Sequence, residues 1–256
     1  MRIPSLSAAE RVGVHSLRCC PGPRPVGCHR LGHADPVTTV PLEGFHPVKH
    51  ALRFAPSLVF DVRVRDPAAA RALCERLAPD VTDALLARAT TGQVAHHTGI
   101  AATGALPPPD TSVLHRRVAP LVLLDGPRSP GNAGAVVRVA AAAGASGVAV
   151  TGTLDPWHPS VLRGSAGLHY ALPVLRLAGH ELGCHGLTGP VVVLDAEGDP
   201  HAALPAEGVL VVGSERSGVS DALRQRADVV LALPMRPGVS SLNLATAVAA
   251  ALYCRR

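Results

Sequence analysis

From Pro120 to Leu233 the sequence alternates short, purely apolar runs with stretches of helical spacing, and this restricts the fold more than any other feature. Leu121–Leu124, Val148–Val150, Leu172–Leu175, Val191–Leu194, Val209–Val212 and Val229–Leu233 read as strands. Between them the spacing predicts helices over Ala133–Ala143, ending at Gly144, over Ser160–Gly167 and near Val219–Arg226. Strands with no polar alternation must be buried on both faces. Short strands of that kind separated by helices give a parallel sheet covered on each side. Aromatic residues make up only 2% of the chain, so Val, Leu and Ala must fill its core.

A smaller α/β module precedes this region. Phe45–Phe54 reads as a helix with Val48, Leu52 and Ala55 on one face, and Ser57–Val64 as a strand ending in the alternation Phe60, Val62, Val64. Asp66 and Pro67 are suited to the N-cap and first position of a helix, with Leu73 and Leu77 expected on its buried face. A further helix is expected near Asp80–Ala89 and a strand at Ile100–Leu106. Three consecutive prolines make Leu106–Ser112 a stiff linker. The expected organisation is therefore a poorly ordered segment 1–43, a module 44–106, a linker 107–119 and a larger domain 120–256.

Charge is divided unevenly between these parts. The chain carries a net +5. Arg and Lys outnumber Asp and Glu by five to three in residues 1–43 and by nine to six in 44–119, but stand at ten each in 120–256. A basic module on a neutral ligand-binding domain suits an anionic partner; a scatter of solvated arginines gives the same count. The six cysteines form no CxxC pair, which favours free thiols in a reducing cytoplasm over a zinc site. No apolar stretch reaches ~18 residues, so no membrane span is expected.

Three stretches can carry chemistry. In Asp125–Arg138 (DGPRSPGNAGAVVR) a strand ends in a Pro/Gly loop leading into a helix; Asn132 is placed to cap that helix, and Arg138 lies in its second turn among apolar residues. An arginine there needs an anion or an acceptor; a structural salt bridge is the plainer account. In Val211–Ser220 (VVGSERSGVS) a strand enters a loop containing Gly213, Glu215 and Gly218, with Ser220 suited to cap the next helix. In Val229–Tyr253 a strand leads through Pro234-Met235-Arg236-Pro237-Gly238 to Ser240-Ser241-Leu242-Asn243 and an Ala-rich helix. Loops of this kind present backbone groups to a ligand, and the helix N-terminus adds free N–H donors. None of them is a dinucleotide or P-loop fingerprint.

Taken in order, the three resemble the SpoU/TrmH-type family of RNA ribose 2′-O-methyltransferases, within the knotted SPOUT superfamily. Asn132-Ala133-Gly134-Ala135-Val136-Val137-Arg138 matches N-x-G-A-x-x-R; Gly213, Glu215 and Gly218 match G-x-E-x-x-G; Pro234, Met235, Ser241, Leu242 and Asn243 match P-M-…-S-L-N. The resemblance covers Pro120–Tyr253, and the preceding module is more loosely similar to an L30e-type RNA-binding domain.

The resemblance implies a deep trefoil knot in the C-terminal domain, a topology that general rules of chain connection disfavour. It implies S-adenosylmethionine held around Gly213, Leu233, Met235, Ser241 and Leu242, an RNA substrate, ribosomal or transfer, a homodimer with its site at the subunit interface, and no metal. Within that site Arg138 would stabilise the developing 2′-alkoxide, Asn132, Ser241 and Asn243 would order the pocket, and Glu215 would support it. A catalytically idle RNA-binding protein on the same fold is the alternative.

Overall fold

The computed structural model describes residues 38–177 and 187–254. The chain divides into two units, Met1–Pro36 and Val37–Arg256, and the described residues all lie in the second. The expectation of poor order thus lies outside the described residues as far as 37; beyond that it is corrected. Residues Thr39–Glu43 form a strand, β1. Val40 and Leu42 point into the core while their neighbours are exposed, so five residues of strict alternation suffice once an edge is available to pair with.

That edge belongs to a four-stranded sheet. After β1 come helix α1 (Phe45–Phe54), β2 (Val59–Val64), α2 (Pro67–Leu77), α3 (Thr82–Leu86), β3 (Thr90–Thr91) and β4 (Ile100–Ala105). The strand order is β1-β4-β2-β3, with β4 antiparallel to both β1 and β2 and β3 parallel to β2. Asp66 caps α2 by accepting from the backbone N–H of Ala68 and Ala69. Three expectations are corrected. Phe60 faces solvent because the β2–β4 register slips between Phe60 and Arg63, where Asp61 has φ +50°. Helix α2 fully buries Ala70 and Cys74; Leu73 packs half-buried against the same core as expected, whereas Leu77 is exposed. The expected helix over Asp80–Ala89 is a 3-10 turn, Pro79–Val81, followed by the short α3.

The second sheet is wholly parallel. It contains β5 (Leu121–Asp125), β6 (Gly147–Val150), β7 (Val174–Arg176), β8 (Val191–Asp199), β9 (Val209–Gly213) and β10 (Val229–Leu231) in the order β10-β8-β9-β5-β6-β7. Its helices are α4 (Pro130–Ala142), α5 (Pro159–Gly164), α6 (Asp221–Gln225) and α7 (Leu244–Tyr253). Every strand but the edge strand β10 feeds two cores. Val122, Leu124, Val148, Leu210 and Val212 pack with α4 and α7 on one face; Leu121, Leu123, Ala149, Val209 and Val211 pack with Leu223 of α6 and with Val113 and Leu114 on the other. Full burial of each leucine of β5 contributes about 2 kcal/mol, and this two-sided burial is why the strands carry no polar alternation.

The expected linker is a packed piece of the fold. Thr111–Leu114 forms a 3-10 turn capped by Asp110, and Val113 and Leu114 are buried beneath the second sheet. The two sheets are joined along a shared seam at the α5 region, where Leu162 and Tyr170 belong to the core of the first module. Tyr170 donates its hydroxyl to the Ala105 carbonyl (3.2 Å) and His50 donates from Nδ1 to the Ala166 carbonyl (2.7 Å). At Gly167 (φ +77°) even a methyl group would lie 2.6 Å from Pro47 Cα, so the turn and α1 meet backbone to backbone.

Beneath this seam Ser165 and His169 are fully buried. Their side chains are hydrogen-bonded at 2.7 Å, and His169 Nε2 lies 2.8 Å from the Pro156 carbonyl. A carbonyl only accepts, so Nε2 carries the proton and Nδ1 accepts from the Ser165 hydroxyl. Burial pulls the His169 pKa down to about 4 against the opposing pull of the Pro156 hydrogen bond.

Candidate active site

Three loops meet at the C-terminal ends of the parallel strands, where open α/β sheets place their ligands. The first follows β5. Pro130 sets the first helical position of α4 and Ser129 caps it, accepting from the backbone N–H of Asn132 at 3.3 Å. The expectation that Asn132 caps the helix is thereby corrected: the fixed φ of Pro130 starts the helix earlier. Asn132 then stands in the first turn with its side chain free to reach outward.

That side chain links all three motif stretches. Asn132 Nδ2 donates to Glu215 Oε1 at 2.7 Å, and Asn243 Nδ2 donates to Asn132 Oδ1 at 3.2 Å. Asn243 Oδ1 in turn caps α7, accepting from Ala245 and Thr246 N–H groups at 3.0 and 3.4 Å. Burial works against ionisation of Glu215, but the hydrogen bond from Asn132 and backbone donors outweigh it, holding the carboxyl below its usual range. A charged acceptor fixes which end of the Asn132 amide faces Glu215, and hence which end faces Asn243.

The second loop depends on two glycines. A methyl group at Gly213 would lie 2.0 Å from the carbonyl carbon of Gly218, and Gly218 has φ +66°. Ser214 and Gly218 exchange backbone hydrogen bonds of 3.1 and 3.0 Å across this narrow turn. Ser220 does not cap α6 with its side chain as expected; its backbone N–H donates to Asp125 Oδ2 at 2.7 Å, while Asp125 Oδ1 accepts from the Thr151 hydroxyl at 3.0 Å. Asp125 thus ties the ends of β5 and β6 to the second loop.

The loops enclose a cavity of about 570 Å³, within the range of small-molecule sites. Asn132, Gly213, Glu215, Leu233, Met235, Ser241, Leu242 and Asn243 line it, so the sequence-derived candidates converge there with one exception. Arg138 is not among the lining residues and is exposed. It stands in the third turn of α4, not the second. Six residues beyond Asn132, it is about 9 Å further along the axis and on another side of the helix. Its charge is felt instead by α1: His46 is lowered by burial, then by Lys49 and Arg138, and Lys49 by burial, Arg53 and Arg138.

Sequence reasoning missed the contribution of β8. Leu194, Asp195 and Ala196 also line the cavity. The available signal was their place at the C-terminal side of a parallel strand. Among the described residues no group of three or more His, Cys, Asp and Glu is placed to hold a metal ion. No helix among them is long and apolar enough to cross a membrane. Cys74 and Cys254 are free thiols; Cys19, Cys20, Cys28 and Cys184 lie outside the described residues.

Comparison with known proteins follows the same residues. The family model described as "SpoU rRNA Methylase family" matches residues 119–253. The 23S rRNA (guanosine(2553)-2′-O)-methyltransferase RlmP of Bacillus subtilis is 30% identical over 238 residues, covering 88% of this chain and 91% of that protein. A 23S rRNA (uridine(2479)-2′-O)-methyltransferase of Streptomyces viridochromogenes is 35% identical over 144 residues, covering 52% of this chain and 50% of that protein. Among solved structures, the SpoU methyltransferase AviRb from Streptomyces viridochromogenes, in complex with AdoMet, superposes with a TM-score of 0.67 at 26% identity, covering 84% of this chain and 88% of that one.

Proposed function

The chain belongs to the SpoU rRNA methylase family, and from that premise we propose that it transfers a methyl group from S-adenosylmethionine to a ribose 2′-hydroxyl of RNA, with ribosomal RNA as the substrate. The observation that carries this reading is the Asn243–Asn132–Glu215 hydrogen-bond chain, which closes the three motif loops around one cavity. Relatives named for 23S rRNA support the ribosomal choice.

The cavity fits the cofactor. Its lining mixes apolar side chains with fixed acceptors, and at Gly213 the packing leaves bare main chain. Main chain around Gly213, Leu233, Met235 and Leu242, with the Ser241 hydroxyl, would hold S-adenosylmethionine. The cofactor supplies an electrophilic methyl on a sulfonium, whose departure leaves a neutral thioether.

The chain's own residues handle the other half of the chemistry. A ribose hydroxyl is a poor nucleophile and must lose its proton as its oxygen bonds to carbon. A guanidinium beside that oxygen stabilises the alkoxide as it develops. Arg138 is assigned that role; Asn132, Ser241 and Asn243 order the pocket, and Glu215 fixes Asn132. An exposed Arg138 outside its own chain's cavity fits a homodimer in which each Arg138 serves the cavity of the partner subunit.

Two features of the fold belong to the same proposal. The chain leaves β10 at one edge of the sheet and returns so that α7 packs with α4 in one core, a path that supports a deep trefoil knot within residues 120–256. The first module, with its excess of arginine, is read as an L30e-like domain that grips RNA in the cytoplasm. Mapping of 2′-O-methyl groups in RNA from cells with and without the gene tests the function. One ribosomal position should lose its mark; loss from transfer RNA instead would move the substrate, and an unchanged map would overturn the proposal.

A further inference from the structure

Strand β8 departs from regular pairing at the cavity. Val229 and Val230 of β10 pair with Val192 and Val193, but the next residue, Leu231, pairs with Asp199. Residues 194–198 are therefore unopposed on β10, and pairing with β9 also ends at Val193. The excursion is held in place rather than loose. At Gly198 a methyl group would lie 2.6 Å from the Val230 carbonyl oxygen, so the excursion returns against β10 backbone. Its cavity side is Leu194, Asp195 and Ala196.

Asp195 is the charged group of this excursion at the cavity. Its Oδ1 accepts from the Glu197 N–H at 3.1 Å, and its Oδ2 is ion-paired with Arg224 of α6, a residue that also donates to the Val219 carbonyl. A carboxylate offers about four acceptor sites and no donor; with the Ala196 N–H also drawn to it, these bonds still leave acceptor capacity for a ligand. The side chain is 18% exposed. Burial opposes its ionisation, yet the Glu197 N–H and Arg224 keep it below the usual carboxylate range.

Resting on the reading of the cavity as the S-adenosylmethionine site, we propose that Asp195 binds the cofactor's own ribose, its two oxygens accepting from the vicinal 2′- and 3′-hydroxyls. Both sequence neighbours of Asp195 in the lining, Leu194 and Ala196, are apolar, so Asp195 is the acceptor that this wall offers to a ligand's donors. A vicinal diol brings two donors at a spacing that matches two carboxylate oxygens. The reacting end of the cofactor belongs with Asn132 and Asn243, which leaves the nucleoside end for the apolar walls and Asp195.

Calorimetry on the purified full chain tests this with three probes: S-adenosylmethionine, 5′-methylthioadenosine and the 2′,3′-dideoxy form of the latter. On the wild type, removing the two hydroxyls should weaken binding about tenfold to a hundredfold. On Asp195→Asn, 5′-methylthioadenosine should bind about as weakly as the dideoxy compound binds the wild type, and the two should become nearly equal. An unchanged ratio between them in the variant overturns the ribose contact. So does a loss confined to S-adenosylmethionine, which would place Asp195 against the amino group instead. If Asp195→Asn does not fold, Asp195→Ser carries the same comparison. A wild-type chain that fails to bind S-adenosylmethionine overturns the cofactor reading, and this contact with it.

Discussion

Arg138 is the residue on which sequence and structure disagree most instructively. Its presence in an apolar helix marked it as a group with a task, and its place in N-x-G-A-x-x-R named the task. The structure puts it on the exposed side of α4, away from the cavity of its own chain. Loss of an exposed side chain should leave the unfolding free energy within about 0.5 kcal/mol of wild type. Arg138→Ala should nevertheless cost about 3 kcal/mol or more in single-turnover methyl transfer, with S-adenosylmethionine affinity unchanged. Arg138→Lys should fail as well, because a point ammonium lacks the planar fork. A folded Arg138→Ala chain that methylates RNA at the wild-type rate would contradict its role. Asn132 was legible as a site residue but not as a link, since Asn, Ser and Pro before a helix all signal a start; only Pro130 decides that Ser129 is the cap.

At the scale of elements, the strands of the second sheet were the most legible part. Wholly apolar runs such as Leu121–Leu124 have no other stable place. What sequence concealed was set by neighbours: β1 needs the edge of β4, α2 turns Ala70 and Cys74 inward, and the β8 excursion depends on how β10 pairs. The Gly213–Gly218 loop shows the opposite case, a motif whose spacing is its geometry. Gly213→Ala would drive a methyl into the Gly218 backbone, so cofactor affinity should fall at least tenfold by calorimetry. Gly92→Ala, where nothing lies within 4 Å, should leave affinity and stability unchanged. The Ser165–His169 pair makes a pH prediction. The folded-state pKa of about 4 lies below the ordinary value of 6.5, so the unfolded chain takes up the proton first as pH falls. Stability from this group is complete above about pH 6.5 and is lost between there and pH 4, by an order of 3 kcal/mol. Urea denaturation across that range should show His169→Gln with a flatter profile than wild type; equal slopes would mean the pair is not the source.

At the scale of the molecule, the two modules share a core through Leu162 and Tyr170, and the segment read as a linker is packed under the second sheet. Three prolines described its stiffness correctly but could not reveal that Val113 and Leu114 are anchors. The separation of charge, +5 before Pro120 and zero after, remains the best sequence argument for where RNA is held. If each cavity uses the partner subunit's arginine, two inactive variants should rescue each other. Mixing Arg138→Ala with a cavity-blocked Gly213→Val chain, under conditions where subunits exchange, should restore part of the methyl transfer. No recovery, with exchange verified, would place Arg138 and the cavity of one chain in the same site. The central claim is tested most directly by incubating the purified chain with methyl-labelled S-adenosylmethionine and ribosomal RNA, then digesting with alkali and identifying the labelled nucleoside. The proposed function predicts label in one alkali-resistant dinucleotide as a 2′-O-methylribose, whereas no transfer, or label on a base, would contradict it.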